Sequence, residues 1–272
     1  MEHTEVKLDN GRPGLAVITL NGPERLNALN QRAVVDFCET LDALGRDDKV
    51  RVVLITGAGK GFCSGWDIVG APTDLSGALL QTSPTISDTY ASQELFASMV
   101  QRLRALDKVV IAGVNGAAVG AGFALTLAAD IRVAGRSASF HVGAVRIGLT
   151  AGECGISYHL PRLIGASRAF EVMLTGRPIK ADEAERIGLV SLLVDDAQLF
   201  EQALETANQV LRNSPYATRH TKRLMWANLE AGSLDAALEL ENHAQVLALM
   251  TEDLREASTA FKEKRPPVFT GR

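Results

Sequence analysis

Two glycine-containing segments carry residue types that can bind a negatively charged or polarised oxygen through the backbone. They are residues 61–68 (GFCSGWDI) and residues 115–124 (NGAAVGAGFA). Glycine lets a ligand approach the main chain closely, and the start of a helix presents N–H groups that have no intrahelical acceptor. If the two segments converge in space, one N–H group from each can form a two-donor oxyanion hole.

The sequence around these segments predicts the elements that position them. Each segment follows a β-branched apolar run that is typical of a buried strand, at residues 50–56 and 109–114. Residues 123–129 then indicate a buried helix, and residues 131–133 indicate another strand. Because strand, glycine loop and helix recur, we expect an α/β fold of repeated β-β-α turns stacked as a spiral.

The remaining N-terminal sequence contains a hairpin, a helix and one irregular stretch. Residues 6–8 and 15–20 flank a turn-forming cluster and predict the hairpin, and Asn30 is placed to cap the helix. Residues 70–92 lack periodicity. They indicate either a mobile loop with a short helix near the site or a surface insertion.

From residue 166 onward the pattern is helical, and Ser214 and Ser233 are expected to act as N-caps. Apolar faces on these helices have little to pack against in isolation, so we expect them to contact both their own core and a neighbouring subunit. We therefore divide the chain into a core at 1–165, which holds the site, and a helical oligomerisation region at 166–272. Both belong to the same structural unit.

Composition excludes several classes of function. A chain of 272 residues with a net charge of −4 can bury a sizeable core and is not expected to bind nucleic acid. No apolar run is long enough to span a membrane and no signal peptide is evident, so we expect a cytoplasmic protein without membrane contact. Cys38, Cys63 and Cys154 have no metal-ligand spacing, so no metal site is predicted. Cys63 and Cys154 lie near the predicted site; we expect them to be ordinary buried cysteines, and the alternative is an accidental reactive thiol.

The pattern G-F-x-S-G-x-D-I, followed by N-G-x-x-x-G-x-G, resembles the crotonase, or enoyl-CoA hydratase/isomerase, superfamily. Further segments that resemble the family occur in the family's order, at residues 23–29, 129–132, 160–165, 174–176, 184–190 and 261–267. The resemblance implies the crotonase-type spiral with a helical C-terminal trimerisation region. It also implies an acyl-CoA thioester as substrate, coenzyme A as part of that substrate with no other cofactor, and a homotrimer or dimer of trimers.

The resemblance also implies roles for individual residues. The backbone N–H groups of Trp66 and Ala121 would hold the thioester oxygen. Two groups of residues would contact the substrate and its coenzyme A. The first group is Arg25, Ala28, Ser64, Gly65, Asp67, Ile68, Gly120 and Gly122. The second group is Phe261 and Lys262, whose counterparts in the family often reach the coenzyme A of the adjacent subunit.

The chain departs from the family pattern at the acids. Hydratases of the family usually place two glutamates where this chain has Ala124 and Ala144. Glu153, after a one-residue insertion, matches the stretch in which dienoyl-CoA isomerases and a chlorobenzoyl-CoA dehalogenase carry a catalytic aspartate. Glu153 is therefore the candidate catalytic acid–base group, and the alternative is an acid that only interacts with a helix dipole. His141 is either a proton relay or a structural histidine.

Three functions follow as hypotheses. The first is hydration or double-bond isomerisation of an unsaturated acyl-CoA through an oxyanion-stabilised enolate. The second is a CoA-thioester-binding homologue without hydratase activity, or a CoA-thioester hydrolase, because both usual acids are missing. The third is a scaffold or RNA-binding role, against which the acidic charge balance argues.

Overall fold

The structure is a computed structural model that describes residues 6–68 and 85–272. In these residues, strands form a six-stranded sheet in the order β1-β2-β3-β4-β6-β9 and a three-stranded sheet in the order β5-β7-β8. The strands are β1 (Val6–Arg12), β2 (Leu15–Leu20), β3 (Val52–Gly57), β4 (Val109–Val114), β5 (Ala117–Val119), β6 (Ile131–Gly135), β7 (Ser139–His141), β8 (Ile179–Lys180) and β9 (Leu192–Val194).

Helices surround the two sheets and make up most of the C-terminal third of the chain. The expected N-caps are confirmed, since Asn30, Ser214 and Ser233 each accept a backbone N–H with the side chain. The helices are α1 (Gln31–Arg46), α2 (Ile86–Ala105), α3 (Ala121–Ala128), α4 (Ile156–Ile164), α5 (Ala166–Thr175), α6 (Ala181–Arg186), α7 (Leu199–Leu211), α8 (Pro215–Asn228), α9 (Leu234–Leu249) and α10 (Glu252–Glu263).

The chain winds as the predicted spiral. After the antiparallel hairpin of β1 and β2, every neighbouring pair in the large sheet is parallel. One turn places β4 in the large sheet, β5 in the small sheet and α3 against them, and the next turn repeats this with β6, β7 and α4. The fold is therefore the α/β crotonase-type spiral of β-β-α units.

Both faces of the large sheet are covered, which explains why its central strands are continuous apolar runs. On one face, side chains of β3 and β4 such as Leu54 and Ile111 pack against Ala203 of α7. On the other face, alternate residues of the same strands join the larger core with α1, α2 and α3. The carboxyl ends of β3 and β4 are thereby fixed, and the two glycine-containing segments begin there.

Two expectations about the elements need correction. The chain after residue 166 is not wholly helical, because β8 pairs with β7 and β9 extends the large sheet beside β6. Strands of two and three residues are too short to show a period-two pattern in sequence. Of the irregular stretch 70–92, residues 70–84 lie outside the described residues, whereas Ile86–Ser92 form the first turns of α2.

Of the C-terminal helices, α7 packs on the large sheet and α8 is tied to the core by ion pairs, whereas α9 is left uncovered. Asp107 at the start of β4 pairs with Arg219 and Arg223 of α8. In contrast, α9 has no buried residue in the single chain. Its exposed large apolar side chains are Leu234, Leu238, Leu240, Val246, Leu247 and Leu249.

Within residues 6–68 and 85–272, no helix combines the length and apolar character needed to cross a membrane.

Candidate active site

The loop that carries Trp66 is held between two other segments. On one side, the N–H groups of Phe62 and Cys63 both donate to the carbonyl of Ala117 at 3.1 Å, and Val119 N–H donates to Cys63 at 2.9 Å. These bonds join the first glycine-containing segment to the second. The predicted convergence of the two segments is therefore present in the structure.

On the other side, the same loop pairs with Leu29. Leu29 N–H donates to Gly65 at 2.7 Å, and Asp67 N–H donates to Leu29 at 3.0 Å. Trp66 lies between these two bonds, in a parallel bridge with Leu29. Successive N–H groups of an extended segment point to opposite sides, so the Trp66 N–H points away from Leu29. It has no acceptor among the described residues.

Glycine is required where the segments touch. A Cβ added at Gly65, whose φ is +83°, would lie 2.6 Å from the Val119 carbonyl and 3.5 Å from Ala121 N. A Cβ added at Gly122 would lie 2.3 Å from the Cys63 carbonyl. Side chains at these positions would push the loops apart, so glycine keeps Trp66 next to the start of α3.

Ala121 is the first residue of α3, and its N–H is one of the donors without a helical acceptor. The residue before it, Gly120, has φ 50° and ψ −119°, which only glycine adopts readily. The Gly120 N–H donates to the carbonyl of His141 at 3.0 Å. Ala121 itself has an ordinary helical backbone, so alanine costs nothing at this position.

A cavity of about 550 Å³ brings Trp66, Ala121 and Glu153 together. The rest of the described lining comes from one face of α2 and from the loop before α4, and consists of Ile86, Thr89, Tyr90, Ser92, Gln93, Phe96, Leu149 and Cys154. None of the α2 residues was predicted as a site residue; the stretch 70–92, which contains the first of them, was expected to be a mobile loop with a short helix or a surface insertion. The signal that could have found the helix is the capping box of Thr85 and Asp88.

Glu153 is half-buried and its carboxylate packs against Gly120, because a Cβ added there would lie 3.0 Å from Oε1. Burial raises the pKa of the Glu153 carboxyl above its ordinary value. The residue precedes α4 rather than beginning it, and its carbonyl accepts the Ile156 N–H at 2.8 Å. An acid stabilised by a helix dipole would have a lowered pKa, so the environment of Glu153 is dominated by desolvation.

The other positions considered for proton transfer, Ala124, Ala144 and His141, place no proton-carrying group in the described cavity lining. Ala124 and Ala144 are buried and have no group that transfers a proton. The His141 imidazole hydrogen-bonds Ser139 Oγ at 2.8 Å. Its pKa is lowered by burial first and then by the positive charges of Lys180 and Arg146. The imidazole of His141 does not line the described cavity. The backbone carbonyl of His141, in contrast, accepts the N–H of Gly120.

The two cysteines near the site are not activated thiols. Burial raises the pKa of Cys63 to about 12, and burial together with the charge of Glu153 raises the pKa of Cys154 to about 12. Both thiols are therefore protonated at neutral pH, as expected of ordinary buried cysteines.

The residues expected at the coenzyme A end fall into two groups. Arg25 forms an ion pair with the buried Asp67, and Ser64 Oγ donates to the Arg25 carbonyl at 3.1 Å. Ala28 is half-buried on the same segment, and Ile68 is exposed. This first group therefore lies beside Trp66. The second group, Phe261 and Lys262, is exposed on α10 and does not line the cavity within the single chain.

Comparisons with known proteins show the family to which the chain belongs. The family model for enoyl-CoA hydratase/isomerase matches residues 10–272. A probable enoyl-CoA hydratase of Mycobacterium bovis is 46% identical over 97% of this chain and 92% of its own. The 1,2-epoxyphenylacetyl-CoA isomerase of Escherichia coli is 36% identical over 98% of this chain and 99% of its own.

Among solved structures, a probable enoyl-CoA hydratase/isomerase from Mycobacterium abscessus superposes with a TM-score of 0.89. It is 41% identical, and the match covers 98% of this chain and 99% of that one. The family model, the relatives and the solved structure all extend over nearly the whole chain. The chain belongs to the enoyl-CoA hydratase/isomerase family, as an enzyme that acts on acyl-CoA thioesters.

Proposed function

We propose that the protein moves a carbon–carbon double bond in an unsaturated acyl-CoA and that Glu153 carries the proton. The observation behind this proposal is that Glu153 is the only carboxylate in the described lining of the cavity. It lies against Gly120, immediately before the Ala121 N–H. An isomerisation needs one group that removes a proton from one carbon and returns it to another, and a single carboxylate can do both.

The backbone would stabilise the intermediate. With the thioester oxygen between the N–H groups of Trp66 and Ala121, removal of a C2 proton by Glu153 leaves a dienolate whose charge develops on that oxygen. Each donor of an oxyanion hole is worth about 3–4 kcal/mol in the transition state. Glu153 becomes neutral as the dienolate forms and then delivers its proton to C4, which leaves the double bond conjugated with the thioester.

Hydration is the less suitable reaction for this site. Hydratases of the family usually place two glutamates at the acyl group, and both positions are alanine here. The relatives are named both as hydratases and as an isomerase, so the two alanines, and not these names, carry the preference for isomerisation. We expect water addition to a 2-enoyl-CoA to be slow.

The test compares two substrates and two variants. Purified protein is given a 3-enoyl-CoA or a 2-enoyl-CoA, and products are separated by chromatography. We expect isomerisation to be faster than hydration and Glu153→Gln to lower its kcat by about 10²-fold or more. Glu201→Gln, at an exposed position on α7, is the matched control, and we expect it to retain full activity. Full isomerase activity in Glu153→Gln would refute the assignment.

We also propose that coenzyme A enters as part of the substrate and that no other cofactor takes part. Arg25 and Ala28 of the first group would contact its phosphate-bearing end. Phe261 and Lys262 would contact the coenzyme A of an adjacent subunit, since they are exposed on α10.

We place the protein in the cytoplasm, where thiols such as its free cysteines remain reduced.

A homotrimer, or a dimer of trimers, is the assembly that we propose. The uncovered apolar face of α9 supports it, because a soluble chain rarely leaves such a face exposed to water. Light scattering after size exclusion gives the mass directly. We expect Leu238→Asp to reduce the assembly toward monomers, and a monomeric wild-type protein would contradict this proposal.

A further inference from the structure

The turn at residues 57–62, here called the entry turn, leads from β3 to the Trp66 loop. The side chain of Asn27 is buried against it with 2% of its surface exposed. Its Nδ2 donates to the carbonyls of Ala58, Gly61 and Phe62 at 3.0, 2.8 and 3.1 Å. Its Oδ1 accepts the N–H of Gly22 at 3.0 Å. One side chain thus ties the entry turn to the segment before α1.

Asn115, the residue after β4, also holds the entry turn. Its Nδ2 donates to the carbonyls of Gly57, Gly59 and Gly61 at 2.9, 2.9 and 3.1 Å. Its Oδ1 accepts the N–H of Gly57 at 3.2 Å. The Gly61 carbonyl therefore accepts from both asparagines.

An amide is the side chain that these contacts require. The entry turn presents several carbonyls that do not belong to a strand ladder, and an amide supplies two N–H donors and one acceptor. Aspartate would place negative charge against the same carbonyl oxygens. Asn27 also has a φ of +58°, and asparagine tolerates the left-handed region better than most residues.

We propose that Asn27 and Asn115 are positioning residues that set the direction of the Trp66 N–H by fixing the entry turn. This rests on the proposed function, in which that N–H polarises the thioester carbonyl. Without the two amides, the carbonyls of the entry turn lose their donors and the loop after it can shift. A displacement of about 1 Å at a reacting group can lower a rate by about 10²-fold.

The test measures carbonyl polarisation without turnover. A saturated acyl-CoA labelled with ¹³C at the thioester carbon is bound, and its C=O stretching frequency is recorded by infrared difference spectroscopy. In the wild-type protein we expect a lower frequency than in free solution. In Asn115→Ala we expect at least half of that shift to disappear, kcat for the isomerisation to fall by about 10- to 100-fold, and KM to change by less than about threefold.

Asn213→Ala is the matched control, because its Nδ2 also donates to a backbone carbonyl, that of Gln209 at 3.0 Å, at an exposed position. We expect it to retain the full shift. Asn27→Ala is measured in the same way, and if it does not fold, Asn115→Ala decides alone. A folded Asn115→Ala protein with an unchanged shift and kcat overturns the proposal, as does a wild-type protein without a shift.

Glu153→Gln separates this inference from the proton-transfer assignment. We expect that variant to lose turnover and to keep the full carbonyl shift, because it alters neither N–H donor. If Glu153→Gln keeps turnover instead, the proton-transfer assignment fails while the spectroscopic comparison of the asparagine variants still stands.

Discussion

The carboxylate of Glu153 packs directly against the α-carbon of Gly120. A Cβ at that position would lie 3.0 Å from Oε1 and 3.6 Å from the carboxyl carbon. The glycine thus makes room for the acid and, through its backbone angles, begins α3. Proton transfer and oxyanion binding would share this one residue.

Gly120→Ala should therefore impair both stability and catalysis. The φ of +50° is strained for alanine by about 1–3 kcal/mol, and the added methyl group must displace the Glu153 carboxylate. We expect a lower melting temperature and a kcat reduced by about tenfold or more. Gly188→Ala is the control, because its φ is +76° but nothing lies within 4 Å of an added Cβ. It should lose stability and keep its kcat; equal kcat values in the two variants would contradict the proposed arrangement.

Glu153 should also determine how activity depends on pH. A general base must be ionised, and burial raises the pKa of Glu153. The ratio kcat/KM should therefore rise with pH through an apparent pKa above the ordinary range of a glutamate. A profile that is flat across the acidic range would argue against Glu153 as the base.

The raised pKa of Glu153 should also make the stability of the protein depend on pH. Because the folded-state pKa of Glu153 is raised, the folded protein binds more protons than the unfolded chain between the two pKa values. This contribution to the free energy of unfolding is fully present below the unfolded-state pKa and is lost as pH rises through the folded-state pKa. Glu153→Gln removes the titration. Urea unfolding over a pH series should show wild type losing stability relative to the variant as pH rises, and the reverse slope would refute the shift.

The features of the fold and the site that the sequence predicts are those that short, local sequence motifs determine. Trp66 and Ala121, which the structure places in one cavity, could be singled out because glycine spacing and the family resemblance act at the level of short motifs. The strand β9 and the α2 wall of the cavity were not identified. A three-residue strand has too few positions for periodicity, and α2 begins with a mixed face on which Thr89 and Gln93 lie beside Phe96.

Long-range hydrogen bonding was the least predictable feature. Asn27 and Asn115 lie far apart in sequence, and their shared acceptor, the carbonyl of Gly61, has no side chain to signal the contact. Likewise, nothing in the sequence around Asp130 indicates its partners on α8, Trp226 and Lys222. Such contacts arise from the winding of the chain rather than from local patterns.

Cys63 and Cys154 should be inert in the folded protein. Since burial is the main cause of a pKa of about 12 for each, almost no thiolate is present at neutral pH. We expect iodoacetamide at pH 8 to leave both unmodified in the native state and to alkylate both in urea, as measured by peptide mass spectrometry. Rapid native alkylation of Cys154, which lines the cavity, would show that the loop before α4 opens.

The final prediction concerns Asp130, which connects α8 to the core. Its carboxylate accepts hydrogen bonds from Trp226 Nε1 and from Val110 N–H, both at 2.7 Å. Lys222 Nζ lies 3.0 Å away, and its side chain is only 5% exposed. In Asp130→Asn the Lys222 ammonium remains buried without a counter-charge, although it still donates to the Lys108 carbonyl. Removing one partner of a buried ion pair typically destabilises a protein by about 3–5 kcal/mol.

We therefore expect Asp130→Asn to lower the free energy of unfolding by about 3 kcal/mol or more, measured in urea by tryptophan fluorescence. Asp195→Asn is the matched control, because its pair with Arg136 is exposed on both sides and should contribute little to the free energy of unfolding. Adding Lys222→Met to Asp130→Asn should recover part of the lost stability, since no unpaired charge is then buried. Equal losses for the two Asp→Asn variants would mean that the Lys222 ammonium reaches water, and that α8 is held to the core by its apolar contacts.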